Sequence, residues 1–325
     1  MSAPQTPTAP ATLSAAATTS LLDDRGVLRW WQTTAFLEVA GPDAATLLDG
    51  LCTQAVERIA PLRARLGLFL DAKAKIIAPA VLHRRADLDD APRFALETLP
   101  ELVEPLRAHL AKYRLRAKAS VEPTDLATVA LVGSHLPEPD PRPDGDWIEV
   151  ADAPRPTLAF VGSRDACAQI TAQHAELAAD PDAFEADRIA AAHAWLHDLL
   201  PGRMPAEVGG MDHAVALDAG CYLGQEPVAR LHYRGHANRS IRRLEADPGS
   251  ELRPEPGDPA ESLALHDASS DDASGRSIGR LTTWARAADG RLVALAMLRR
   301  EVETDALVRI PGSSSPLRVT SDAPA

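Results

Sequence analysis

From about residue 240 to the end, short stretches of alternating apolar and polar residues are broken every few positions by Gly, Pro or Asp, so no helix of useful length fits between the breakers. This pattern predicts a small antiparallel β module over residues 240–325, with Asp289-Gly290 as a hairpin turn. Upstream the periodicity is mixed. Residues 34–40 read as a strand, Gly41-Pro42-Asp43 as a turn and helix cap, and Leu47, Leu48 and Leu51 recur at helical spacing. Further strands are expected at 66–70, 75–82 and 94–97, and Leu102, Val103, Leu106 and Leu110 lie on one face of a helix over 99–110. After Pro123 the same mixture recurs. Strands fall at 126–132 and 157–161, a Pro/Asp-rich loop at 135–156, and helices at 164–177 and 182–196.

The expected fold class is therefore α+β, with two mixed subdomains over residues 21–122 and 123–239 and the C-terminal β module. Residues 1–20, rich in Ala, Thr, Pro and Ser and free of charged side chains, read as a disordered tail without the features of a secretory signal or transit peptide. No run of eighteen apolar residues occurs, so a membrane span is not expected, and the chain reads as cytoplasmic.

Composition narrows the function. Lys plus Arg is 34 against 46 for Asp plus Glu, a net charge of −12, which disfavours direct tRNA binding without a local basic patch. Aromatic residues are 4%, too few for a row of base-stacking platforms. The three cysteines, Cys52, Cys167 and Cys221, lie far apart with no C-x-x-C pair, which argues against a disulfide framework or a zinc ribbon. Phosphate-loop, dinucleotide and hydrolase-elbow motifs are absent.

Chemistry concentrates between Gly220 and Arg243. Cys221 stands between Gly220 and Gly224-Gln225-Glu226, in backbone able to approach a ligand closely, which suits a working thiol. A buried, inert cysteine is the plain alternative. Between Pro227 and Leu244 there is no acidic residue, while Arg230, Arg234, Arg239, Arg242 and Arg243 all occur, a local positive field suited to an anionic ligand or a thiolate. A solvated arginine cluster explains the same pattern equally well. His213, His232 and His236 flank the cysteine without the spacing of a metal motif. His193 and His197 are four apart on an expected helix, but no Glu stands between them, and a polar helix face is the simpler reading.

The segment GCYLGQEPVAR, Gly220 to Arg230, resembles the signature of the YgfZ family of folate-binding proteins, relatives of the glycine-cleavage aminomethyltransferase. The segments GPDAATLLDGLCTQAV from Gly41, LFLDAKAKIIAPAVLHRR from Leu68, AHLAKYRLRAKASVEP from Ala108, RIAAAHAW from Arg188 and MPAEVG from Met204 resemble the family in the same order. The resemblance implies a ring of subdomains around a central channel, tetrahydrofolate or a one-carbon derivative as cofactor, and iron–sulfur client proteins or assembly factors as partners. It also implies a role in iron–sulfur protein maturation and, in some members, tRNA modification. Carried onto this chain, it implies a catalytic Cys221 and folate contacts from Arg188, Gly220, Tyr222, Gly224, Gln225, Glu226 and Arg230, with no metal ligands.

The chain departs from the family in three places. Ala219 replaces the usual Lys before Gly-Cys, Ala192 and Ala194 stand where Gly and Pro are common, and Ala78-Pro79 occupy the stretch holding the catalytic aspartate of the aminomethyltransferase branch. The alternatives are thus a tetrahydrofolate-dependent aminomethyltransferase, weakened by the lost carboxylate, and a folate-binding scaffold with an inert thiol.

Overall fold

The computed structural model describes residues 13–30, 34–136, 138–139, 142–209, 211, 213–250, 252, 264–268, 277–313 and 315–322. Nine strands share one sheet: β1 (Val27–Trp30), β2 (Ala35–Ala40), β3 (Arg63–Leu70), β4 (Ile76–Arg84), β5 (Arg93–Thr98), β6 (Ser120–Thr124), β7 (Leu126–Val132), β8 (Gly145–Val150) and β9 (Thr157–Ser163). Their order is β1-β7-β9-β8-β3-β4-β5-β2-β6. The two halves, β1-β7-β9-β8 and β3-β4-β5-β2-β6, are internally antiparallel and meet at a short parallel pairing of β3 with β8. Although β1 is the first strand in chain order, it pairs with β7 in the later half. At the centre Glu97 accepts from Thr34 and Thr128 and lies 2.8 Å from His83 Nε2, satisfying a carboxylate that burial would otherwise penalise.

Among the described residues six helices cover the sheet or border it: α1 (Ala15–Asp24), α2 (Ala44–Asp49), α3 (Val103–Arg114), α4 (Arg164–Gln173), α5 (Pro181–Ala190) and α6 (Gln225–Arg234). The expected disordered tail needs correction over residues 15–20, which form most of α1; residues 1–12 lie outside the described set. Ser14 caps this helix by accepting from Ala17 N–H, Leu22 is buried, and the buried Thr18 hydroxyl accepts from Asp180 N–H, so the helix gains tertiary anchors that composition does not reveal. The helix expected over 182–196 stops at Ala190. Ala192 turns left-handed at φ 52°, and Asp198 captures Trp195 N–H, so His193 and His197 do not share a helix face. Cys52 follows α2 and bridges to Phe69 of β3.

The C-terminal module is a closed antiparallel barrel of β10 (Arg239–Ala246), β11 (Ala264–Asp267), β12 (Gly279–Arg286), β13 (Leu292–Arg299), β14 (Leu307–Arg309) and β15 (Leu317–Asp322), in the order β10-β13-β12-β11-β14-β15. The Asp289-Gly290 turn joins β12 to β13 as the sequence predicts, with Gly290 at φ 85°. Strand β13 reads LVALAMLR, apolar at seven consecutive positions, because both its faces are buried. Leu292, Ala294, Ala296 and Leu298 fill the barrel, while Val293, Leu295 and Met297 join the main core with Ile241 and Ala285. Each large side chain so buried contributes about 1.5–3 kcal/mol. The barrel is therefore fixed to the body through one wall.

Candidate functional site

Cys221 is exposed, whereas Cys52 and Cys167 are buried. Its segment is irregular backbone held at both ends. On one side Ala216 N–H donates to the Thr53 carbonyl at 2.8 Å and Ala219 N–H to the Ala216 carbonyl at 3.1 Å. On the other, Leu223 N–H donates to the Gly50 carbonyl at 3.1 Å, and Gln225 N–H to the Tyr222 carbonyl at 3.2 Å. Tyr222 is buried beside Cys52 and anchors the segment from below. Burial, followed by the proximity of Cys52, pushes its phenol up to about 12. Gly224 then caps α6 in the left-handed region, φ 85°, against the turn between β3 and β4. The thiol is thus exposed on a stretch whose neighbours are fixed.

The sequence did not predict α6. Its signals were present: Pro227 sits in the first turn, where its missing N–H costs nothing, Glu226 lies near the N-terminus and Arg234 in the last turn. Val228 alone of its residues is buried, so apolar periodicity was too weak to show it.

The residues expected around a folate separate into two sets. Gly220, Cys221, Tyr222, Gly224, Gln225, Glu226 and Arg230 form one continuous stretch. Within it Arg230 Nη2 donates to Glu226 Oε1 at 2.6 Å, an i,i+4 pair with side chains 71% and 83% exposed, where such pairs contribute little. Arg188 lies elsewhere, buried at the end of α5. Its guanidinium donates to Glu185 at 2.9 Å, to Asp198 at 2.8 Å and to the His193 carbonyl. Asp198 in turn accepts from Trp195 N–H, Thr282 and Thr283, which ties α5 to β12 of the barrel. Burial raises the Asp198 carboxyl, but Arg188 and the surrounding donors outweigh it and hold the group below its ordinary value. Arg188 is committed to this buried network, and among the described residues no hydrogen bond or ion pair joins it to the cysteine segment.

A third feature emerges from histidines that the sequence had placed near the chemistry without pairing them. His193 and His213 stack with ring centroids 4.1 Å apart, and Trp195 lies 5.6 Å from His193. His213 Nε2 meets the Ala194 carbonyl at 2.8 Å, while His193 Nε2 is buried with no hydrogen-bond partner. Burial pushes His193 down to about 3, with His213 and Arg188 adding to the effect. The stack and the cysteine segment are tied to the same stretch of chain: Gln54 donates to the His213 carbonyl, Thr53 donates to the Ala214 carbonyl and accepts from Ala216 N–H through its own carbonyl. Two residues some twenty apart in sequence form this stack, which no local pattern displays. Among the described residues no group of three or more His, Cys, Asp or Glu could hold a metal ion, and no helix is long and apolar enough to cross a membrane.

The position that would carry the aminomethyltransferase aspartate is occupied by Ala78, fully buried in β4, and by Pro79, whose carbonyl accepts from Thr98. No carboxylate replaces it at these two positions.

No family model matches the chain. Curated relatives do. The chain is 28% identical over 250 residues to the mitochondrial iron-sulfur cluster assembly factor IBA57 of Homo sapiens, covering 67% of each. It is 28% identical over 222 residues to the IBA57 homolog of Mycosarcoma maydis, covering 63% of this chain and 53% of that protein. With the tRNA-modifying protein YgfZ of Cronobacter sakazakii it shares 26% identity over 302 residues, 85% of each chain. Among solved structures, the glycine cleavage system aminomethyltransferase T from Bartonella henselae superposes with a TM-score of 0.71 at 17% identity, over 94% of this chain and 88% of that one. Fold and sequence relatives agree: the chain is similar in sequence to the YgfZ and IBA57 proteins and shares the fold of the aminomethyltransferase.

Proposed function

We propose that this protein binds a reduced folate and supports the maturation or repair of iron–sulfur proteins, with Cys221 as the working thiol. The observation that carries the reading is the exposed Cys221 on a segment fixed by Tyr222, Leu223 and Gly224, while the other two thiols are buried. An exposed thiol on a held loop is what thiol chemistry on a small molecule or protein client requires. The relatives named as iron–sulfur cluster assembly factors and as a tRNA-modifying protein support the choice of client class.

The residues present fit a folate in one respect and resist it in another. A pterin is a flat heteroaromatic ring with several donors and acceptors, and the unpartnered His193 Nε2 beside the His213 and Trp195 rings suits it. Arg188 does not suit the folate tail, because its donors are already spent on Glu185, Asp198 and His193. A bound folate would supply a one-carbon carrier, with His193 and Trp195 holding the pterin. The aminomethyl-transfer alternative is weaker, because Ala78 and Pro79 can neither accept nor donate the proton such chemistry needs through a side chain.

The test is Cys221→Ser in cells lacking the native protein, with calorimetric titration of tetrahydrofolate on both proteins. The reading expects the variant to fold and to bind folate as before, yet to fail in restoring iron–sulfur enzyme activity. Full complementation by Cys221→Ser would overturn the role of the thiol, and absence of folate binding in the unaltered protein would overturn the cofactor.

A further inference from the structure

Between Glu104 and Glu122 the chain has no acidic residue, and the end of α3 carries Lys112, Arg114, Arg116 and Lys118, all exposed. Among the described residues none of the four makes an ion pair. Lys112 lies over the Tyr113 ring at 5.1 Å, and Arg114 reaches the Ala119 carbonyl at 3.5 Å. In a protein of net charge −12 this run stands against the general field, and no carboxylate of the fold is spent on it. Leu115, in the middle of the run, ends the helix at φ 41° and is 86% exposed. Glycine stops a helix at such a position without strain; a leucine there neither relaxes the backbone nor buries its side chain.

The same helix end forms one wall of an open groove of about 440 Å3 against α2. Tyr113 and Arg116 stand on that wall, and Leu47 and Leu51 give the groove an apolar floor. Gly50 borders it as well. The Gly50 carbonyl accepts from Leu223 N–H at 3.1 Å, and the neighbouring Asp49 lies against Gly220, so the groove opens beside the segment that carries Cys221. The carboxylates of this region are engaged by other donors. Asp43 Oδ2 accepts from Lys118 N–H at 2.7 Å, Asp49 Oδ1 from Glu57 N–H at 3.2 Å, and Glu57 Oε1 from the Thr46 hydroxyl at 2.6 Å.

We propose that the end of α3 and its groove against α2 dock an acidic segment of a protein client, which seats one apolar side chain on the groove floor beside Leu115 and is thereby held next to Cys221. The four cations attract and orient an acidic partner, and the arginines offer paired donors that match carboxylate oxygens. The apolar floor, Tyr113 and Leu115 supply the contact that keeps it there. A nucleic-acid backbone would use the cations but not the exposed Leu115 or the Leu47–Leu51 floor, so the apolar parts favour a peptide. That the docked segment belongs to a client rests on the reading of Cys221 as the working thiol; the docking itself needs neither the thiol nor a folate.

The experiment follows the fluorescence anisotropy of a labelled glutamate-rich peptide with one central leucine, titrated with the full chain at low and at physiological salt. Binding is expected, weakened by salt and weakened about tenfold when Arg114→Gln and Arg116→Gln are combined. Leu115→Gly should fold, because glycine takes φ 41° without strain, and should weaken the leucine peptide while leaving an all-glutamate peptide unchanged. Arg291→Gln, the same kind of charge change on the barrel, should bind as the unaltered protein does. Delivery is read with the same peptide carrying a cysteine as its mixed disulfide with thionitrobenzoate. The Cys221 thiolate attacks the peptide sulfur, a protein–peptide disulfide forms and thionitrobenzoate leaves, about tenfold faster than with an uncharged peptide, and the gain disappears in the double arginine variant. The proposal is overturned if the peptide does not bind, if the double variant and Leu115→Gly both keep full affinity, if Arg291→Gln weakens binding as much as they do, if the exchange is no faster than with the uncharged peptide, or if single-stranded RNA of equal length binds more tightly than the peptide. Cys221→Ser should keep full peptide affinity, so the loss of docking and the loss of the thiol's role are read separately.

Discussion

Gly224 lies so close to the Asp71 carbonyl that a Cβ built on the glycine would stand 2.6 Å from that oxygen, and the residue holds φ 85°. Both conditions exclude other side chains, because backbone cannot yield as a flexible side chain can. The contact sets where α6 begins and hence where Cys221 emerges. Gly224→Ala is expected to cost about 1–3 kcal/mol from the left-handed conformation, with the clash in addition. Urea denaturation would read the loss, and an unchanged midpoint would show that the segment is not held by this contact.

Ala192 gives the converse case. It sits at φ 52°, where a side chain is strained, and it ends the helix that would otherwise run on through His193. Ala192→Gly relieves the Cβ strain and gives back part of the gain through the greater freedom of glycine when unfolded. A net stabilisation of about 0.5–1 kcal/mol is expected. Thermal unfolding checks it; destabilisation would mean that the Ala192 methyl, which is buried, contributes more by packing than it costs in strain.

Most of the fold was legible where burial leaves a local pattern. The strand at residues 34–40, the leucines Leu102, Leu106 and Leu110, the Asp289-Gly290 hairpin and the β character after residue 240 are all set by alternation or helical spacing. Helix α1 was missed because its hold comes from Thr18 and Leu22 meeting residues far along the chain. In the site, the Gly220–Glu226 stretch was visible as glycines around a cysteine. The Arg188–Asp198 pair and the His193–His213 stack were not, since each depends on pairing that forms only in the tertiary fold.

The Arg188–Asp198 pair should matter to the attachment of the barrel. Asp198 is fully buried and joins α5 to Thr282 and Thr283 of β12. Asp198→Ala leaves the buried Arg188 charge with Glu185 and the His193 carbonyl but without its buried carboxylate partner, at an expected cost of about 3–5 kcal/mol. The folded carboxyl is held below its ordinary value, so this stability is present above about pH 4 and is lost as pH falls through the folded value. Acid unfolding of Asp198→Asn should therefore show a shallower loss below pH 4 than the unaltered protein. Parallel curves would argue that the pair does not titrate with folding.

His193 acts in a higher window. Its folded value is pushed down to about 3 by burial, then by His213 and Arg188, whereas an unfolded histidine titrates near 6.5. Below pH 6.5 the unfolded chain takes up a proton that the native ring refuses, so stability falls as pH drops toward 3. The slope from this group approaches about 1.4 kcal/mol per pH unit at most. His193→Phe, which also removes the unpartnered Nε2, should flatten the pH dependence between 6 and 4 relative to the unaltered protein. Equal slopes in urea titrations at those pH values would place the ring in contact with water.

Thiol labelling addresses the residue on which the functional reading rests. Cys52 and Cys167 are 0% exposed, and burial pushes both thiols up to about 12, so in the folded state they lack both access and thiolate. They can react only through opening of the surrounding core. An opening cost of about 3 kcal/mol already slows reaction by about a hundredfold, and more for the deeper parts of the fold. Cys221 needs no opening, because the segment around it is anchored at Tyr222 and Leu223 while its own side chain faces solvent. With a mild alkylating reagent on native protein, one equivalent should be consumed rapidly at Cys221, located by peptide mass analysis, and two further equivalents only as denaturant is added. Gly224→Ala should change the rate at Cys221 without speeding the other two below its unfolding midpoint. If Cys221 reacts no faster than Cys52 and Cys167 in the native protein, the thiol is shielded in solution and the working role assigned to it fails.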